Sequence, residues 1–143
     1  MTLSKKNETI LLIVWTVTLL ATAGSLYYSE VRGYIPCELC WIQRILMYPL
    51  VIVYGVSLWK KNMDIALPGV ILSGIGLLVS VYHYSLQKIP ALQDTGGICG
   101  DVPCTLQYVN YLGFITIPFQ SMIAFIIIFV LHIYVLGKNA KAK

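Results

Sequence analysis

Charge is what this sequence has least of. Asp, Glu, Lys and Arg make up 11% of its 143 residues, against about 25% in an average soluble domain. Hydrophobic residues reach 58% and mean hydropathy is +0.78. A small water-soluble globule cannot hide that much apolar surface, because small domains keep a large fraction of their area exposed. The same composition excludes a disordered chain. Also missing are an internal repeat, a low-complexity tract, a haem-attachment signature and the glycine fingerprint of a dinucleotide fold. The net charge of +4 forms no basic patch interleaved with aromatics, so nucleic acid is not a partner this sequence points to.

What remains is an all-α integral membrane protein, read as a single domain over residues 1–143. Four apolar stretches stand out, at about Thr9–Ser29, Trp41–Trp59, Ile65–Gln87 and Leu112–Leu136. Each approaches the roughly 17–25 residues that a tilted helix needs to cross the hydrocarbon. Inside a bilayer each must satisfy its own backbone, which favours a four-helix transmembrane bundle. The short Lys60–Asp64 link makes the second and third helices antiparallel. Lys5, Lys6 and the Ala21-Thr22-Ala23 sequence give the first stretch some likeness to a cleaved signal peptide. Its apolar character continues through Leu26-Tyr27-Tyr28, so it is read as a helix.

Lys5, Lys6, Lys60, Lys61, Lys138, Lys141 and Lys143 fall at the termini and the second loop, seven on one side against Arg32 and Lys88 on the other. The positive-inside rule makes both termini cytoplasmic and turns the loops Glu30–Cys40 and Lys88–Tyr111 outward. Tyr27, Tyr28 and Trp41 on one side and Trp59 and Tyr134 on the other fit interfacial aromatic belts. Ala21/Ser25, Gly69/Ser73 and Gly76/Ser80 are small-residue pairs suited to close helix packing. Pro49 and Pro118 are expected within spans, where each would remove a backbone bond and favour a kink.

All four cysteines fall in the two outward loops: Cys37 and Cys40 in the first, Cys99 and Cys104 in the second. Outside the cytosol such pairs readily become disulfides. Cys37-Glu38-Leu39-Cys40 has the spacing of dithiols that cycle between thiol and disulfide. It opens a helix whose N-terminal end would stabilise a thiolate, an effect expected at Cys40. Three readings stay open: structural staples, a tetrathiolate zinc site, or two redox-active pairs exchanging electrons. The zinc reading is the weakest, because about 58 residues separate the pairs, far beyond the roughly 15–20 of common zinc ribbons. No metal ligand is assigned.

Arg44 follows Cys40 by four residues, so the two share a helix face with Arg44 about 6 Å deeper. It either snorkels to the headgroups or faces a polar ligand beside Cys40. His83, about five residues before Lys88, is expected at a similar depth and on a shared site with Arg44. His132, near the inner end of the fourth helix, is given no function. Oxidising a dithiol releases two electrons and two protons. A lipid-soluble quinone can accept both, and a nearby cation would stabilise its reduced, anionic form.

Pro36-Cys37-Glu38-Leu39-Cys40-Trp41-Ile42-Gln43-Arg44, His83, Cys99 with Val102-Pro103-Cys104, and Gly113-Phe114-Ile115-Thr116-Ile117-Pro118 together resemble the DsbB/BdbC-type disulfide-formation proteins. These are quinone-coupled thiol oxidases of bacterial membranes, and the likeness is closest to the Gram-positive BdbC branch. The resemblance implies that Cys99–Cys104 reoxidises an extracytoplasmic thioredoxin-like oxidase of the DsbA type, with Cys99 forming the mixed disulfide. Electrons would then reach Cys37–Cys40 and a quinone, menaquinone in this branch, held near Arg44 and His83. Only four residues separate Cys99 from Cys104, a departure from the long DsbB segment that leaves the order of attack open. Gly96, Gly97 and Gly100 are expected to make that loop flexible. The competing classes are a non-enzymatic membrane protein with structural or metal-bound cysteines, and a relative of the vitamin K epoxide reductases.

Overall fold

A computed structural model describes residues 3–94 and 99–141. Gly96, Gly97 and Lys143, named above, lie outside the described residues. Helix α1 spans Lys5–Leu26, and Ser4 caps it by accepting the Asn7 backbone N–H at 3.4 Å. The chain continues through a π-helical turn, Tyr27–Val31, and an extended connection to α2, Glu38–Lys60. Lys61 ends α2 in the left-handed conformation at φ 50°. A 3-10 turn, Met63–Ala66, leads directly into α3, Leu67–Lys88. The short helix α4, Pro90–Gln93, opens the second loop, and α5 runs from Ile117 to Lys141.

Four continuous segments, Lys5–Val31, Glu38–Lys60, Met63–Lys88 and Ile117–Lys141, are long and apolar enough to cross a membrane. Their contacts close a ring: α1 packs on α2, α2 on α3, α3 on α5, and α5 back on α1. The side chains that face away from the ring are apolar, Leu20, Ile52 and Leu78 among them, as a lipid-facing surface requires. Most of the interior is one cluster around Leu11, Met47, Leu50, Tyr54, Phe125 and Ile128. A second, smaller cluster at the loop end contains Cys37, Leu39, Leu86 and Cys104.

Glycines on α3 make the close packing possible. A Cβ at Gly76 would overlap the Phe125 ring of α5, and one at Gly69 would overlap the Tyr54 ring of α2. Ser73 and Ser80 return their hydroxyls to the Gly69 and Gly76 carbonyls at 2.6 Å, which keeps those faces smooth. Tyr54 in turn shares a hydrogen bond of 2.7 Å with His132 Nδ1, a pairing of two buried interior groups.

Two expectations need correction. Helix α5 begins at Ile117 rather than Leu112. The apolar residues before it form a tight reversal, in which Tyr111 and Ile115 exchange backbone hydrogen bonds of 3.0 and 2.9 Å. Leu112 and Gly113 turn the chain at φ 56° and 82°, conformations incompatible with a helix. Hydropathy alone cannot see this, because the turn is as apolar as the span. Pro118 therefore occupies the first turn of α5, where no intrahelical bond is lost. Of the two prolines expected within spans, Pro49 lies in a helix interior.

Candidate thiol site

The site is built where α2 begins. Cys37 is the N-cap of α2 and Cys40 lies in its first turn, so one helical turn brings their sulfurs to 3.1 Å as a thiol pair. In the second loop Cys99 and Cys104 are joined as a disulfide. The two pairs pack into the same small cluster, with Cys37 and Cys104 both buried. The tetrathiolate arrangement does not form, since two of its four sulfurs are bonded to each other.

His83 stands between the pairs. Its Nε2 lies 3.1 Å from the Cys104 carbonyl oxygen and 3.7 Å from Cys37 Sγ. A carbonyl can only accept, so in the neutral ring Nε2 carries the proton and Nδ1 is an acceptor. That fixes the rest of a buried chain. Gln43 Nε2 must be the donor to His83 Nδ1 at 3.0 Å, and Ser121 Oγ then donates to Gln43 Oε1 at 2.7 Å. A helix residue from each of α2, α3 and α5 thus sets one imidazole tautomer.

Cys37 is held as a thiolate well below the usual thiol range, at about 4. The hydrogen bond from the Cys40 thiol is the largest cause, and the hydrogen bond from His83 adds to it. Burial works in the opposite direction and loses. The sequence placed this activation at Cys40. Its surroundings make Cys37, at the N-cap, the residue favoured as thiolate.

Arg44 is held by α1. Its Nε donates to Ser25 Oγ at 2.9 Å, its terminal nitrogen to the Ser25 carbonyl at 3.1 Å, and its guanidinium lies 5.3 Å from the Trp41 ring. The charge is therefore fixed within the bundle instead of reaching for the headgroups. Arg44 and His83, expected from the sequence at a similar depth and a shared site, both line one cavity. That cavity has a volume of about 360 Å³ and is also bordered by Cys37, Cys40, Gln43 and Tyr48. Its remaining walls are mostly apolar, including Met47, Phe125 and Ile127.

Gln43, Ser121 and Ser25 were missed as site residues. Ser25 was read as a packing residue, and Gln43 lies inside the recognised Cys-to-Arg motif without a role of its own. One signal was available for Gln43: it is a polar residue within an apolar span, as His83 is.

The family model for "Disulfide bond formation protein DsbB" matches residues 7–135. A "Probable disulfide formation protein" of Oceanobacillus iheyensis is 58% identical over 140 residues, covering 97% of each chain. A "Probable disulfide formation protein C" of Halalkalibacterium halodurans is 48% identical over 137 residues, or 96% of this chain and 100% of that one. The "Disulfide bond formation protein C" of Bacillus subtilis is 42% identical over 137 residues, 95% of this chain and 99% of the relative. The chain belongs to the DsbB family. No solved structure matches it. Membership of a disulfide-forming family makes this a multi-pass membrane protein of thiol oxidoreductase type.

Proposed function

We propose that this DsbB-family protein is a thiol:quinone oxidoreductase working as one membrane domain, and that Cys37, Cys40, Cys99 and Cys104 carry its electrons. In this reading both termini are cytoplasmic and the cysteine loops face outward in a bacterial cell membrane. The observation that supports it most is a thiol pair on the wall of an apolar cavity that also holds a fixed guanidinium, with a disulfide packed against that thiol pair.

The exchange balances with the partner dithiol as reductant and a membrane quinone as the final oxidant. A reduced extracytoplasmic thioredoxin-like oxidase of the DsbA type gives two electrons and two protons to the Cys99–Cys104 disulfide and leaves oxidised. Cys99 and Cys104, now thiols, pass the same electrons and protons to a Cys37–Cys40 disulfide and close again. Cys37 and Cys40 standing as thiols beside a closed loop pair support this order of transfer. His83 spans both pairs. Its Nε2–H is placed to stabilise the Cys37 thiolate as it forms or departs, and it fixes the Cys104 backbone beside it.

The cavity suits a quinone headgroup: its walls are mostly apolar, and Cys40 and Arg44 lie on them. A membrane quinone, menaquinone by the family likeness, would supply the two-electron, two-proton acceptor that dithiol oxidation requires. Arg44 would hold a developing oxyanion through its remaining donors, since Ser25 engages Nε and only one terminal nitrogen. Tyr48 and His83 are among the other polar residues on the cavity wall.

The test is reduction of quinone by a reduced thioredoxin-like partner in detergent. Cys37→Ser or Cys40→Ser should stop quinone reduction while a partner mixed disulfide remains trappable on the loop. The double Cys99→Ser/Cys104→Ser protein should lose partner oxidation. Full-rate oxidation by that double variant would overturn the two-pair relay.

A further inference from the structure

The same residues satisfy a different chemical demand. Cys37 Sγ, Cys40 Sγ and His83 Nε2 all lie within 4.8 Å of one another, on three side chains buried or nearly so. We propose that the reduced protein carries a Cys37–Cys40–His83 binding site for a thiophilic divalent cation of the Zn2+ type, which is destroyed when Cys37 and Cys40 form a disulfide.

The geometry is close to what such an ion needs. Zinc binds thiolate sulfur at about 2.3 Å and imidazole nitrogen at about 2.0–2.1 Å. For tetrahedral angles these lengths place sulfur and nitrogen about 3.6 Å apart and two sulfurs about 3.8 Å apart. The observed Cys37 Sγ to His83 Nε2 distance is 3.7 Å, already correct. The sulfurs stand at 3.1 Å and must open slightly, which rotation about χ1 of Cys40 allows. The fourth position faces the cavity that all three residues line, where water or a small anion can enter.

The surroundings also tolerate the change. A metal on Nε2 requires Nδ1 to become the proton-bearing nitrogen and to find an acceptor. Gln43 supplies one by turning its amide, which brings Oε1 to Nδ1. Ser121 remains satisfied because its hydroxyl also lies 2.9 Å from the Pro118 carbonyl and can donate there. The Cys104 carbonyl, losing its imidazole donor, keeps Gln87 Nε2 at 3.5 Å. The ligands are two soft sulfurs and an imidazole, a set that selects Zn2+ over Mg2+ or Ca2+. Binding displaces the Cys40 thiol proton, Cys37 being already a thiolate, and moves no electrons. Oxidation removes both sulfur ligands at once, so the site exists only in the reduced half of the cycle.

The binding stands apart from the proposed activity, whereas its consequence rests on that activity: a bound ion withholds both thiolates and arrests turnover. Reducing Cys37 and Cys40 also opens the loop disulfide, so binding is measured on the full-length Cys99→Ser/Cys104→Ser protein. With Co2+ as the probe, this reduced protein should show the intense thiolate-to-cobalt absorption, and Zn2+ should displace it. Oxidation to the Cys37–Cys40 disulfide, or a further Cys37→Ser change, should abolish the signal. His83→Ala should weaken affinity by at least about 10-fold, and Gln43→Leu by about 10-fold through the outer hydrogen bond. No absorption, or absorption unchanged by Cys37→Ser or His83→Ala, would overturn the site. In the unsubstituted protein, micromolar Zn2+ should stop quinone reduction and a chelator should restore it. Persistent turnover with the ion demonstrably bound would overturn the arrest. Absence of any turnover without zinc would instead count against the thiol:quinone reading and leave the binding result standing.

Discussion

His83 Nε2 lies 3.1 Å from the carbonyl oxygen of Cys104, so a residue in the third span is tied directly to the loop disulfide. Because the Cys104 carbonyl only accepts, this contact decides the imidazole tautomer, and through it the orientation of Gln43 and Ser121. The first prediction follows from that chain. Gln43→Leu should leave the His83 tautomer set by Cys104 but strip Nδ1 of its donor, slowing electron transfer into Cys37–Cys40 by about 10-fold, the cost of roughly one hydrogen bond to a buried group. The apparent quinone KM should stay unchanged. Stopped-flow oxidation of the partner checks the first part, and steady-state kinetics the second. An equal effect on both would make Gln43 a general structural residue.

Arg44→Ala should remove about 1.5–3 kcal/mol of interaction with the bound quinone oxygen, a loss on the order of 10–150-fold. The loss should appear as a raised apparent quinone KM, because the guanidinium is already fixed by Ser25 and binds before charge develops. Arg44→Lys should recover only part, since an ammonium cannot hold Ser25 and the ligand with one planar fork. Kinetics unchanged in well-folded Arg44→Ala protein would return Arg44 to a packing role.

Reactivity of Cys37 should depend weakly on pH. Its pKa is lowered, so the thiolate persists as pH falls and is lost only through about 4. An ordinary thiol would already lose reactivity below roughly 8.5. The rate of Cys37 alkylation by iodoacetamide, followed by mass spectrometry, should therefore be flat from about pH 8 to pH 5 and fall below that. Cys40→Ala removes the main cause and should move the fall to higher pH.

Gly76→Ala should destabilise the bundle more than Gly137→Ala. A methyl at Gly76 meets the Phe125 ring, whereas nothing lies near Gly137. Overfilling a packed interior costs about 1–3 kcal/mol, readable as a lower midpoint of unfolding in denaturing detergent.

A membrane-impermeant maleimide applied to intact cells after reduction should label cysteines of both loops. Labelling only after lysis would place the loops in the cytosol and remove the proposed partner.

The sequence alone determined the four spans, the loops between them and the grouping of all the cysteines on one face. These depend on hydropathy, helix length and charge asymmetry, all of which are local and additive along the chain. It also determined that Arg44 lies one turn below Cys40, because a single helix fixes that relation. It misplaced the start of α5, since the reversal at Leu112 and Gly113 is encoded in backbone dihedrals rather than apolar content. Only the tertiary structure decided the partners across helices. Arg44 belongs with Ser25 of α1, and His83 belongs with Gln43, Cys37 and the Cys104 backbone. Which polar group meets which depends on how each helix is rotated about its axis. That rotation is set by the fit of rings such as Phe125 and Tyr54 against glycines of α3, a long-range packing choice that no stretch of sequence carries by itself.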